Sequence, residues 1–313
     1  MDIASLRRAY RDAALTPADV VASVLEVIGP EPTAGIWIHL RDPETLIAES
    51  RALARSCPSN ERPPLYGIPF AVKDNIDVAG MPTTAACPDF AYVPRESAFV
   101  VDRLCAAGAI CIGKTNLDQF ATGLAGVRSP YGIPVNPFDA RYITGGSSSG
   151  SAAAVARGHV SFALGTDTAG SGRVPAALNH IVGLKPSRGL LSLMGVVPAS
   201  RSLDCVSVMS MTCEDAAEVA AVATGFDASD PYSRREAIGF RWRTALAARR
   251  SSVGVPRAED RTFGDDESRL AFDRACARLE KMGALIEPVD MAPFFEAGRL
   301  LYEGVWIAER LAG

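Results

Sequence analysis

Three places in this 313-residue chain bring together groups that could do chemistry. They are Lys73 at the end of LYGIPFAVKDN, the GGSSSG run from Gly145 to Gly150, and Ser171 within TDTAGSG. A serine hydroxyl becomes a useful nucleophile when a base takes its proton, and a lysine is a base only once desolvation or neighbouring charge removes its own. The apolar PFAV run before Lys73 favours burial. The small residues around Ser171 leave the backbone free to turn several N–H groups toward one point, where they would hold the oxyanion of a tetrahedral intermediate. A lysine after an apolar run is usually a surface residue, and Gly-Ser runs are usually turns or linkers. Their combination points to hydrolysis of an amide bond.

Two other glycine-rich strings compete with this reading. GAICIGKT, Gly108 to Thr115, fits the phosphate-loop pattern letter for letter, but Ala109, Ile110, Cys111 and Ile112 suit a buried strand better than a loop wrapped around phosphate. GSSSG, with Ser148 at its centre, fits the nucleophile elbow of an α/β-hydrolase. That elbow needs an apolar strand directly before it, and NPFDARYITG, with Pro137, Asp139 and Arg141, is not one.

GGSSSGS and DTAGS resemble the paired strings of the amidase signature family, hydrolases that carry a GGSS-type motif followed by a D-T-G-G-S-type motif. The resemblance implies an α/β fold with a mixed β-sheet core flanked by helices on both faces, and neither cofactor nor metal. It also implies a triad of a lysine, a serine in a cis peptide and a nucleophilic serine. Matched motif to motif, Lys73 takes the base position, Ser147 the cis-serine position and Ser171 the nucleophile position. The backbone N–H groups of Thr168, Ala169, Gly170 and Ser171 would cradle the oxyanion.

Within the family the chain is similar to the allophanate hydrolases, on DTAGSGRVPAALNHIVGLKPSRG, RSLDCVSV and LYEGVWIAER, with Ala169 where glycine is commoner. This similarity implies allophanate, a small urea-derived amide, as substrate, with ammonia released in urea catabolism. It further implies Tyr302 and Arg310 as substrate contacts, a guanidinium being suited to grip a planar carboxylate. The alternative packs Tyr302 with Trp306 one helical turn later and leaves Arg310 solvated. Gly123 and Gly126 would let backbone approach the substrate, with ordinary turn geometry as the competing explanation.

Allophanate hydrolases continue past the position matching Gly313. The expectation is an amidase domain over residues 1–313 that is incomplete at its C-terminus, with residues 1–60 a helical N-terminal segment, and a homodimer or a partner chain supplying the remainder. A malonamide hydrolase, the A subunit of an aminoacyl-tRNA amidotransferase and an inactive fragment are the alternatives.

The elements that must position these residues are legible in outline. Residues 1–29 read as helical, with Thr16 as cap, Pro17 at the first position and Gly29 at the end, and a second helix begins at Asp42. A strand covers Ile68 to Val72. SAFVVDRLCAAGAICIGKTNLDQF reads as a helix, a strand at Ala109 to Ile112 and a helix begun by Thr115. SAAAVARG reads as a helix and SFALG as an apolar run, with strands near Leu190 and Val206 and a helix from Thr212. A charged stretch over residues 225–265 reads as a surface excursion, followed by a helix from Asp266 to Met282 and a strand at LIEPVDM. Such alternation argues α/β with a mixed sheet.

Composition narrows the functional classes. The chain is 48% hydrophobic, 22% charged and carries a net charge of -4, which offers no field to attract nucleic acid. Seven cysteines without a CxxC pair, behind an opening that has no apolar signal core, read as reduced and cytoplasmic. His39, His159 and His180 lack metal-ligand spacing. No apolar run reaches the roughly 18 residues that a membrane-spanning helix needs.

Overall fold

The computed structural model describes residues 1–29, 35–58, 60–237, 242 and 252–312. The chain forms two compact units, residues 1–244 and 245–312. In the first, α1 (Ile3–Arg11) and α2 (Pro17–Ile28) lead to β1 (Trp37–Leu40), a strand within the segment 1–60 expected to be helical, and to α3 (Pro43–Ser56). A capping box at the start of α2 pairs the Thr16 hydroxyl with Asp19, and Asp42 caps α3 through the Thr45 N–H. Then follow β2 (Pro69–Lys73), α4 (Phe99–Ala106), β3 (Ile110–Thr115), α5 (Ser149–Ala156), β4 (Phe162–Thr166), α6 (Arg173–Leu178), β5 (Val182–Leu184), β6 (Val206–Ser210) and α7 (Cys213–Ala223).

The six strands form one sheet in the order β1-β3-β2-β4-β6-β5. Its centre, β3-β2-β4, is parallel, and β1, β6 and β5 join antiparallel, so the sheet is mixed. Successive strand residues point to opposite faces. Phe70, Val72, Phe162, Leu164, Val206 and Val208 therefore pack with Leu104 of α4 and Val219 of α7. Ala71, Ala163, Ile110, Ile112 and Met209 face the other way, onto Val24 of α2, Leu46 of α3 and the alanines of α5. Helices thus cover both faces, as the family resemblance implies, and strands buried on both sides need the near-continuous apolar runs that PFAV and SFALG supply.

The second unit pairs β7 (Ser252–Pro256) with β8 (Leu285–Val289) in parallel, with Val253 opposite Ile286, and adds α8 (Asp266–Lys281), α9 (Ala292–Glu303) and α10 (Trp306–Ala312).

Local expectations fail at three points. Thr115 does not begin a helix: it closes β3 opposite Lys73, its hydroxyl 2.7 Å from Ser151 Oγ, and only a 3-10 turn at Gln119–Ala121 follows. Leu190 lies in a turn, its N–H donating to Ser187 after Gly189 at φ 84°, and the strand beside β6 is instead Val182–Leu184. Part of the charged 225–265 stretch is β7, a five-residue strand. Residues 238–241 and 243–251 of that stretch lie outside the described residues.

Candidate active site

Lys73 is the last residue of β2, and the fully buried PFAV run carries it into the interior, where its side chain is 0% exposed. Its Nζ donates to Ser147 Oγ at 2.8 Å and to Thr166 Oγ1 at 2.7 Å. Thr166 ends β4, the parallel neighbour of β2, and also accepts from Asn75 Nδ2 at 3.3 Å. Burial pulls the Lys73 pKa down to about 7, against the opposing pull of the Asp118, Asp204 and Asp167 charges. Half of such a lysine is neutral near pH 7.

Ser147 follows a cis peptide bond at Gly146–Ser147. Its carbonyl accepts the Asp118 N–H at 3.1 Å, and Gly146 donates to Leu124 O at 2.8 Å. Gly146 has no room for a side chain, since a Cβ there would fall 2.1 Å from Asp118 Oδ2. Ser148 donates its N–H to Ser171 O at 3.1 Å and its hydroxyl to Thr166 O at 3.2 Å, so the serine run joins the end of β4 to the Ser171 loop. Ser171 is 4% exposed and lies just before α6. Lys73, Ser147 and the Ser171 loop are thus brought together from three separate stretches of sequence.

The four amides expected around an oxyanion divide. Asp167 accepts the N–H groups of Gly170 (2.8 Å), Gly172 (3.1 Å) and Arg173 (3.1 Å), and the Arg173 guanidinium grips it with two bonds of 2.9 Å. Burial pushes the Asp167 carboxyl up, but Arg173 and these amides hold it below its usual range. The Gly170 amide is thereby engaged, whereas those of Thr168, Ala169 and Ser171 donate to no described residue. The Thr168 hydroxyl donates to Asp204, whose carboxyl is raised by burial.

Gly123 and Gly126 close around Asp118. The Gly126 N–H donates to Asp118 Oδ2 at 3.0 Å, and a Cβ on Gly123 would lie 2.6 Å from that oxygen. Gly126 has φ 76°, and a Cβ there would meet Gly145 O at 2.4 Å. Both glycines thus serve loop closure around Asp118, the ordinary turn geometry that competes with a substrate role. Tyr302 and Arg310 belong to the second unit, Tyr302 exposed on α9 and Arg310 half-buried on α10. The helix breaks at Gly304 between Tyr302 and Trp306, so these two are not neighbours on one continuous helix.

The competing strings resolve structurally. Lys114 of GAICIGKT is buried in β3, 3.1 Å from Asp74 Oδ1 and 2.9 Å from Thr83 Oγ1, which makes the string part of the sheet. His159 accepts the Trp37 indole N–H at 3.2 Å, and burial pulls its pKa down to about 4. Among the described residues no cluster of histidine, cysteine or acidic side chains could hold a metal ion, and no helix is long and apolar enough to cross a membrane.

Asn75, Thr166, Asp167 and Asp204 sit within the recognised strings LYGIPFAVKDN, TDTAGSG and RSLDCVSV but have no role of their own assigned there, and Asp118 escaped sequence reasoning. Thr166 adjoins DTAGS and could have been found from its place at the end of an apolar strand. Asp118 carries no local signal.

A sequence profile of the Amidase family matches residues 31–312. Over 295 residues, 93% of this chain, the sequence is 46% identical to the urea amidolyase of Saccharomyces cerevisiae, of which it spans 16%. It is 39% identical over 315 residues to the A subunit of the glutamyl-tRNA(Gln) amidotransferase of Symbiobacterium thermophilum, covering 99% of this chain and 64% of that one. The fold superposes on the allophanate hydrolase of Kluyveromyces lactis with a TM-score of 0.89 and 43% identity, covering all of this chain and 50% of that one. The peptide amidase of Stenotrophomonas maltophilia aligns with a TM-score of 0.83 and 29% identity, over 96% of this chain and 65% of its own.

Proposed function

The chain belongs to the amidase family, and from that premise we propose that it is an amidohydrolase of allophanate, urea-1-carboxylate, releasing ammonia in the breakdown of urea nitrogen. The observation that carries the reading is the 2.8 Å hydrogen bond from Lys73 Nζ to Ser147 Oγ, made by a lysine whose burial brings it to about 7. Neutral Lys73 takes the Ser147 proton as Ser147 takes that of Ser171, and Ser171 Oγ attacks the carboxamide carbon. Amides of Thr168, Ala169 and Ser171 meet the oxyanion, a contribution of roughly 3 to 4 kcal/mol per donor. The proton returns through Ser147 to the leaving nitrogen, and ammonia departs. Water then attacks the acyl-serine by the same relay, freeing an N-carboxycarbamate that loses carbon dioxide in solution.

In this reading Tyr302 and Arg310 bind the carboxylate end of the substrate, and Gly123 and Gly126 shape its approach. Residues 1–313 act as amidase domain, with 1–60 as its N-terminal segment. No cofactor is used. Seven cysteines without a disulfide support a reducing, cytoplasmic setting. Association with a second copy or a partner chain belongs to the proposal and is tested by size exclusion. The similarity to the tRNA-dependent amidotransferase supports a second reading, in which the amide is that of glutamine.

Ammonia release by the purified chain tests these readings, with allophanate, malonamide, glutamine and simple amides as substrates and Ser171→Ala as the blank. Serine-dependent release that prefers allophanate supports the proposal. Preference for glutamine favours the second reading, and release unaffected by Ser171→Ala rejects both.

A further inference from the structure

Asp204 lies just before β6, far in sequence from Lys73 and Ser147, yet its contacts run toward the site. The carboxylate is 3% exposed and accepts the Thr168 hydroxyl together with the N–H groups of Ala199 (3.0 Å) and Ser200 (3.1 Å). Thr168 opens the loop whose amides at 168, 169 and 171 are without an acceptor among the described residues, so the Asp204–Thr168 bond fixes the upstream end of that loop as the Asp167–Arg173 cluster fixes its downstream end.

The charges of three carboxylates favour the Lys73 ammonium: Asp118 on the loop after β3, Asp204 on the loop before β6 and Asp167 on the loop after β4. Arg173 offsets the charge of Asp167 directly. Among the described residues, Asp204 has only neutral donors, so its charge is not cancelled where it arises.

We propose that Asp204 is a positioning residue for the reaction above, holding the Thr168 end of the oxyanion loop and supplying part of the negative field at Lys73. The two roles separate by substitution. Asp204→Asn keeps the shape and the oxygen that accepts the Thr168 hydroxyl, removes the charge, and exchanges the oxygen facing the Ala199 N–H for an amide nitrogen. Thr168→Val keeps the charge but removes the bond. Loss of a negative charge destabilises the Lys73 ammonium, so the proton leaves at lower pH.

The test rests on the serine-hydrolase reading but not on the identity of the substrate. A fluorophosphonate, which forms an oxygen–phosphorus bond with an activated serine and expels fluoride, is used to follow the labelling rate across pH, with Ser171→Ala as blank and thermal unfolding as the check on folding. Asp204→Asn is expected to move the midpoint of the acid limb down by roughly half a pH unit. Thr168→Val is expected to slow labelling about tenfold with the midpoint unmoved, less than the loss of a direct oxyanion donor. A folded Asp204→Asn protein with the wild-type midpoint, or a folded Thr168→Val protein labelled at the wild-type rate, overturns the proposal. A wild-type chain labelled no faster than Ser171→Ala overturns the reading beneath it, and the proposal with it.

Discussion

Thr166 Oγ1 lies 2.7 Å from Lys73 Nζ, so the amine is held from the sheet on one side and by Ser147 on the other. Thr166→Val keeps the size of the side chain and removes the acceptor. With Nζ no longer aimed at Ser147, kcat should fall about a hundredfold with KM little changed, since a misplacement of about 1 Å can cost that much. Steady-state kinetics on the preferred amide checks this.

Activity should need neutral Lys73. Its pKa is lowered to about 7, so kcat/KM should fall tenfold per pH unit below that value and level off above it. The same depression sets a sign for stability. Between pH 7 and the unfolded lysine's value of 10.5, the unfolded chain holds more protons, so this group makes the protein more stable as pH rises through that window. Its cost is fully present below pH 7 and gone above 10.5. Lys73→Met should therefore stabilise the fold relative to wild type most below pH 7, with the advantage shrinking toward pH 10, as read by thermal unfolding at several pH values.

Lys114 and Asp74 form an ion pair in which neither side chain reaches solvent. Removing either partner alone strands the other charge, so Lys114→Met or Asp74→Leu should each cost about 3 to 5 kcal/mol, and the double variant less than the sum. Urea titrations of the three variants measure this, and ATP should leave the wild-type midpoint unchanged if the phosphate-loop string is structural.

Gly146→Ala would force a methyl group to 2.1 Å from Asp118 Oδ2 and 2.6 Å from the Gly126 nitrogen. The backbone of the serine run must move, at a cost of roughly 1 to 3 kcal/mol, and labelling of Ser171 should be lost. Gly264→Ala, where a Cβ meets nothing within 4 Å, is the matched control and should retain wild-type labelling and unfolding.

Arg310→Ala should weaken KM for allophanate at least tenfold while leaving neutral amides nearly unaffected, because only the former carries a carboxylate for the guanidinium. Equal losses on both substrate classes would remove Arg310 from the binding site.

What could be read from the sequence follows the range of the interactions. PFAV announces a buried strand, and the residue that terminates it inherits that burial, which is why Lys73 was legible. DTAGS and GGSSSG are contiguous and show their small residues in a row. Thr115 misled because a threonine after an apolar strand looks like a helix cap, whereas here the strand continues to pair with β2 through Thr115 opposite Lys73. The roles of Asp118 and Asp204 are not legible in the sequence, because each is an ordinary loop aspartate until folding brings Gly126, Arg128 or Thr168 to it. The second unit gave its helix at Asp266 and its strand at LIEPV, while β7 is too short to stand out from the charged residues around it.

β2 and β4 are adjacent parallel strands, and they end side by side in Lys73 and Thr166. Lys73 and its Thr166 partner are therefore placed by the buried parallel centre of the sheet, whereas Ser147, Asp118, Thr168 and Asp204 stand on the connecting loops. A change confined to those loops would leave the pairing of Lys73 with Thr166 in place, since backbone pairing between β2 and β4 sets it.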